Sequence, residues 1–247
     1  KLHYFVGVET FNYSEDYTTT LNASGTPGNG SADLTNFLNA LGNTLIVAPG
    51  RTFAQDFNRA YTNDRKNTVF FGRLDWGISE NHRGTLRVNS QNWRSINGTT
   101  TGAFASSVGE SNNGIEENRS LSWVAELSSV FGANWVNEAR VQIASERRPR
   151  LAQSSISSEI GVAGRAAGQN EFLPNGLDET TTQLIDNVTF STGDWTLKGG
   201  MDLQGFEYLN QFFRKQNGQW SFSTYNAAFQ WAQGLPLSTG ATPGSIT

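Results

Sequence analysis

Thr68-Val69-Phe70-Phe71-Gly72-Arg73-Leu74-Asp75-Trp76-Gly77-Ile78 decides the fold, because it alternates with a period of two. Even positions carry Thr68, Phe70, Gly72, Leu74, Trp76 and Ile78, and odd positions carry Val69, Phe71, Arg73, Asp75 and Gly77. Successive side chains of an extended chain point to opposite faces, so this is a strand with one apolar face. After the short turn Ser79-Glu80-Asn81-His82 the chain returns with Leu86 and Val88 on one face, and Arg83, Thr85, Arg87, Asn89 and Gln91 on the other. The two runs form a hairpin.

The same grammar recurs on both sides of it. Leu121, Trp123, Ala125, Leu127 and Phe131 alternate with Ser122, Glu126 and Ser128, and the chain turns at Gly132-Ala133-Asn134. It continues with Trp135, Ala139, Val141 and Ile143 against Glu138, Arg140 and Gln142. A third hairpin sets Leu184, Val188 and Phe190 opposite Gln183, Asn187 and Thr189. It turns at Ser191-Thr192-Gly193-Asp194 and returns with Trp195, Leu197, Met201 and Leu203 against Thr196, Lys198, Asp202 and Gln204. Leu2, Tyr4, Val6 and Val8 against His3, Gly7 and Glu9 form an earlier strand, giving about seven in all.

Periodicity alone fits either an antiparallel sandwich with one wet face or a membrane barrel. Two further regularities select the barrel. Connections alternate between turns of a few residues and long polar links at 14–66, 96–118 and 149–180, as periplasmic turns and extracellular loops do. On the outward parity, Trp76, Phe131, Trp135, Phe190 and Trp195 fall beside short turns. Phe70 and Trp123 sit toward the opposite strand ends, as two interfacial girdles require. Trp93 departs from this, because its parity points inward.

Composition agrees. The 247 residues contain no cysteine, which removes disulfides and thiol chemistry, and a net charge of -4 offers no general attraction for nucleic acid. Mean hydropathy is -0.45, and no apolar run approaches the roughly 20 residues of a membrane-spanning helix. A charged lumen face averaged with an apolar lipid face accounts for that value. The chain opens at Lys1 without methionine and closes in a loop-like segment, so it is expected to be a piece of something longer.

Several stretches resemble the barrel of TonB-dependent outer-membrane receptors, in particular the Oar-like group, whose members often carry a carboxypeptidase-regulatory-like domain before the plug. They are Lys1-Leu2-His3-Tyr4-Phe5-Val6-Gly7-Val8-Glu9, Phe71-Gly72-Arg73-Leu74-Asp75-Trp76, the run from Val130 to Arg140, Asp186-Asn187-Val188-Thr189, and Gly193-Asp194-Trp195-Thr196-Leu197-Lys198-Gly199-Gly200-Met201-Asp202. Their order and spacing carry the likeness. It implies an all-β fold in which residues 1–247 are an antiparallel transmembrane segment of one larger outer-membrane barrel of about 22 strands. The family's plug domain, TonB box and aromatic-ended last strand are not among these residues. It further implies a receptor that binds an extracellular ligand and imports it with energy delivered by the TonB complex through the plug. A soluble carbohydrate-binding β-sandwich and a structural or adhesive surface barrel without transport are the competing expectations.

No catalytic, cofactor or metal site is expected. His3 and His82 belong to no zinc motif, and the glycine-rich segment 25–30 lacks the Gly-Lys-Ser/Thr ending of a phosphate loop. The candidate residues are therefore surfaces. Arg73, Asp75, Arg87, Glu126, Glu138 and Arg140 share the inward parity and are expected to form charge ladders; in the family that wall faces the plug. Trp76, Trp123, Phe131, Trp135, Phe190 and Trp195 are the membrane girdle. Arg147, Arg148 and Arg150 form the densest basic cluster and are expected to be delivered to the outer rim, where guanidinium suits lipopolysaccharide phosphate. Expected partners are thus outer-membrane lipid and lipopolysaccharide, the TonB complex and an extracellular ligand, in the outer membrane of a bacterial cell. Inside the first long link, Asp33 is expected to cap a short helix carrying Leu34, Phe37, Leu38 and Leu41 and stopped by Gly42.

Overall fold

The computed structural model describes residues 1–98 and 107–235. In chain order the elements are β1 (Leu2–Thr19), α1 (Ser31–Phe37) running into a π-helical turn (Leu38–Gly42), β2 (Ile46–Ala48), β3 (Arg51–Thr52), α2 (Phe53–Phe57), β4 (Arg59–Gly77) and β5 (His82–Ile96). A 3₁₀ turn (Glu110–Asn112) leads to β6 (Gly114–Phe131) and β7 (Trp135–Ala152). Then come β8 (Glu159–Val162), β9 (Arg165–Gly168), β10 (Asn175–Thr192), β11 (Trp195–Gln211), β12 (Gln219–Phe222) and α3 (Tyr225–Ala232).

The seven long strands make one antiparallel sheet in the order β1-β4-β5-β6-β7-β10-β11. Each neighbours the next long strand in sequence, which is an up-and-down meander. Its ladders are long: β1 and β4 pair without interruption from Leu2 opposite Trp76 to Thr19 opposite Arg59. One gap falls between β6 and β7, opposite Pro149, which has no backbone N–H to donate. Short turns of 78–81, 132–134 and 193–194 close one end, and Gly132 and Gly193 take positive φ there, where a side chain would be strained.

Because directly paired residues share a face, the register tests the parity reading row by row. Tyr4, Leu74, Leu86, Ala125, Val141, Leu184 and Leu203 form one continuous row. The next row holds Val6, Gly72, Val88, Trp123, Ile143, Thr182 and Gly205. The larger apolar side chains of these rows are exposed, since among the described residues no second layer covers them. A soluble sandwich would bury that face, so the sandwich expectation is overturned. Polar residues within the band include Thr182, Ser129, Asp186 and Asn137, and the Asn137 amide donates to the Asp186 carboxylate at 2.6 Å.

The strands are longer than the hydrophobic alternation. The link between β1 and β4 shrinks to residues 20–58, because β1 runs on to Thr19 and β4 starts at Arg59. These outer extensions are mostly polar, and their period-two contrast is reduced to Tyr13, Tyr17 and Tyr61 on the inward parity against Asn12, Ser14, Asp16, Thr62 and Asp64 on the other. Among the described residues no helix is long and apolar enough to cross a membrane. The buried hydrophobic side chains lie in the links and at the outer end of β4, where Phe37, Phe53, Phe57, Val47, Val162, Phe222 and Tyr225 build a cap of their own.

Leu86 and Val141 stand about midway along the apolar face. Replacing either with Arg in the full-length protein is expected to cost about 2–4 kcal/mol in a denaturant titration in lipid vesicles. Gln142→Arg, one residue along but on the opposite face, is expected to change stability by less than about 0.5 kcal/mol. Equal effects at positions 141 and 142 would show that the two faces see the same solvent.

Candidate functional site

Three surfaces carry the candidate residues: the apolar face, the charged face and the cap. On the apolar face, Phe131 pairs with Trp135 and Trp135 with Phe190, so the three rings stand side by side at the short-turn end. Trp135 and Phe190 have ring centroids 4.4 Å apart. Trp195 opens β11 beside them, and Trp76 occupies the same end of β4. Trp123 lies eight residues up β6 from Phe131, in the row of Val88 and Ile143.

On the opposite face the structure brings five of the six charged candidates together in two groups. Arg73 donates to both oxygens of Asp75 at 2.8 and 2.9 Å, and Thr85 donates to the same carboxylate at 2.8 Å. Glu126 accepts from Arg140 at 2.9 Å and stands 3.8 Å from Arg87, joining β5, β6 and β7. Arg73 and Arg87 are register partners, so the two groups meet. Glu138 stands apart, opposite Ser128 and Asn187. Pairs this exposed add little to stability alone; they hold long side chains in fixed orientations. Single-strand parity missed Thr85, the Gln183 and Asp202 pair at 2.9 Å, and the Phe5 and Phe71 rings, 5.6 Å apart on the charged face. Their inward parity was readable, as were the hairpins that hold Thr85 and the Gln183–Asp202 pair, but the residue-by-residue register and the pairing of β1 with β4 were not.

The basic cluster does not act as a unit. Arg147 leaves the apolar face and sits 3.3 Å from Asp178. Arg148 and Arg150 alternate with Pro149 and lie on the charged face, 3.3 Å from Glu146 and 2.6 Å from Glu116 respectively. The expectation that all three reach the outer rim together toward lipid is corrected: adjacent residues of a strand diverge, so only Arg147 faces that way.

The cap is built from four links. α1 packs on α3 through Phe37 and Tyr225, whose rings are 5.5 Å apart, and Phe37 meets Phe53 of α2 edge-on at 5.5 Å. Asp33 does not cap α1 from outside. It lies in the first turn and accepts from the N–H of Gly30 at 2.9 Å, which is the carboxylate half of a capping box; Gly30 has no side chain to return the bond. α2 has the full reciprocal box, with Thr52 and Gln55 serving each other at 3.0 and 3.3 Å; Thr-x-x-Gln was the unread signal.

Polar bolts cross the cap. Asp56 is fully buried and accepts from Ser111 N–H at 3.0 Å and Ser111 Oγ at 2.7 Å, with Arg51 at 3.5 Å. A methyl group on Gly109 would come within 2.1 Å of that carboxylate, so the chain must pass here as glycine. Asn112 donates to Glu159 at 3.0 Å, tying the second link to the third. Asn29 accepts from Tyr225 N–H at 3.0 Å, tying the first to the last. Thr19 at the end of β1 donates to the Phe57 carbonyl at 2.7 Å, seating the cap on the sheet. Among the described residues no three histidine or acidic side chains are grouped to hold a metal ion.

The chain matches the family model of the outer membrane beta barrel domain over residues 5–242. No curated protein and no solved structure matches it.

Burial raises the Asp56 pKa above the ordinary aspartate value, against the opposing hydrogen bonds from Ser111. The folded cap therefore holds this proton more tightly than the unfolded chain. Its stability should be greatest below the ordinary aspartate range and fall as pH rises through that range to the raised value. Hydrogen exchange at the Ser111 amide, corrected for intrinsic rates, should show this slope, and Asp56→Asn should flatten it. An unchanged slope in the variant would assign the dependence to other groups.

Proposed function

The chain belongs to the outer membrane beta barrel family, and from that premise we propose that it is the ligand-binding arc of a TonB-dependent receptor. It resides in the outer membrane, with its apolar face against lipid. β1 and β11 are the edges of the sheet, and an open edge in hydrocarbon leaves backbone N–H and C=O groups without partners. On this reading further strands close the barrel, and a plug fills it.

The observation that carries the proposal is the cap. Extracellular links of a purely structural barrel need only be wet and soluble. Here three of them share one apolar core, and the link between β5 and β6 is bolted to it through the buried carboxylates of Asp56 and Glu159, which is the construction of a pre-formed binding surface. The ladder of Arg73, Asp75, Arg87, Glu126 and Arg140 supports the second half of the proposal. Such a wall offers oriented donors and acceptors to a polar plug that must bind it and later let go. No covalent step is assigned to any residue: the work is recognition outside and gating inside.

Depletion of compounds from the growth medium tests this. Deleting the gene and deleting tonB should each abolish uptake of the same compound from a panel of iron chelates, cobalamin, oligosaccharides and peptides. Loss of surface attachment with every uptake rate unchanged would replace transport by an adhesive role. Glu126→Gln, which disconnects Arg87 from Arg140, is expected to lower uptake several-fold while leaving surface binding of that compound intact.

A further inference from the structure

The row Thr68, Asn92, Arg119, Arg147, Asp178 is the first, counted from the short-turn end, in which the lipid-facing side of the sheet carries Lys or Arg; the row before it already holds Ser90, Ser145 and Thr180. Arg119 and Arg147 are register partners on β6 and β7, so both guanidiniums leave the same face of adjacent strands. Like charges directly opposite each other repel. Both side chains are well exposed, at 59% and 67%. Lys66 and Arg94, partners in the next row, add two more cations on this face. The acids at this height are Glu117, Asp178 and Glu207. Glu117 is divided between Arg119 at 2.8 Å and Arg94 at 3.2 Å, and Asp178 lies 3.3 Å from Arg147. Glu207 stands on β11 opposite Thr180.

The height of this row is meaningful. Arg119 is twelve residues from Phe131 along β6, and Arg147 is twelve from Trp135 along β7. At about 3.3 Å per residue and a tilt of about 40°, that separation is about 30 Å along the membrane normal. This is the thickness of a bilayer's hydrocarbon core. With the Phe131, Trp135 and Phe190 rings at the inner boundary, the arginine pair stands at the outer one, where headgroup phosphates lie. Leu121, Trp123 and Ile143 follow immediately on the membrane side and are exposed, which supplies an apolar surface for acyl chains.

We propose that Arg119 and Arg147, flanked by Arg94 and Lys66, bind the phosphorylated sugar headgroup of the outer-leaflet glycolipid. The two guanidiniums hold one phosphate between them, which relieves their repulsion and uses the planar fork that suits phosphate oxygens. Arg148 and Arg150 take no part, because they face the other way.

Native mass spectrometry of the detergent-solubilised full-length protein tests this with three probes: bisphosphorylated lipid A, dephosphorylated lipid A and inorganic phosphate. The protein is expected to bind the first much more tightly than the second. Arg119→Gln combined with Arg147→Gln should weaken binding about 10- to 100-fold. Arg148→Gln combined with Arg150→Gln should leave it within about twofold. Heat-modifiable migration on gels reports whether each variant is folded, and the single Arg147→Gln variant serves if the double one is not. Undiminished binding in the variant used, or equal binding of dephosphorylated lipid A, overturns the proposal. Full displacement of lipid A by inorganic phosphate would also overturn it, by making this a free-anion site.

Discussion

Backbone hydrogen bonding in hydrocarbon is the constraint on which the rest depends. A lipid-facing N–H or C=O has no water to turn to, so each strand must satisfy its neighbours over its whole transmembrane length. That demand explains why the β1 and β4 ladder runs unbroken, and why the gap beside Pro149 falls near the outer end of β7. It also forces strict alternation. Once the ladder is continuous, a side chain has only two places to go, and Arg147 parts from Arg148 and Arg150 for that reason alone.

Alternation in turn divides the electrostatics. Lipid-facing positions admit charge only at the ends, which is where Lys66, Arg94, Arg119 and Arg147 are found. On the other face charge is admitted at any height, and Arg73, Asp75, Arg87, Glu126 and Arg140 occupy the middle of the wall. Asp186 is the informative exception. It sits on the lipid side and is tolerated with the Asn137 amide as its hydrogen-bond partner.

Legibility in the sequence followed the same division. Strand number, turns, facing parity and the rings near short turns were readable because lipid imposes hydrophobic contrast at every second residue. Above the membrane both faces are largely wet, so in the outer halves of β1 and β4 only Tyr13, Tyr17 and Tyr61 mark one parity, too weak a contrast to set these stretches apart from loop. The cap was harder still. Phe37, Phe53 and Tyr225 converge from links far apart in sequence, and only local signals such as the Thr52 and Gln55 box marked its pieces. Charged partners were half legible: inward parity identified Glu126 and Arg140, but their pairing needed the register.

The cap changes what an outer loop can do. A free loop loses conformational entropy when it grips a ligand, at a cost of about 1–2 kcal/mol for each residue ordered. In this chain that ordering accompanies folding, driven by the burial of Phe37, Phe53, Phe57, Phe222 and Tyr225 and fixed by Asp56 and Glu159. Links that leave different strands of the wall thereby share one core, and Thr19 joins that core to the end of β1. A ligand seated on such a surface would engage several strands through a single body. A set of separate loops has no comparable path by which occupancy outside could bias contacts inside the barrel.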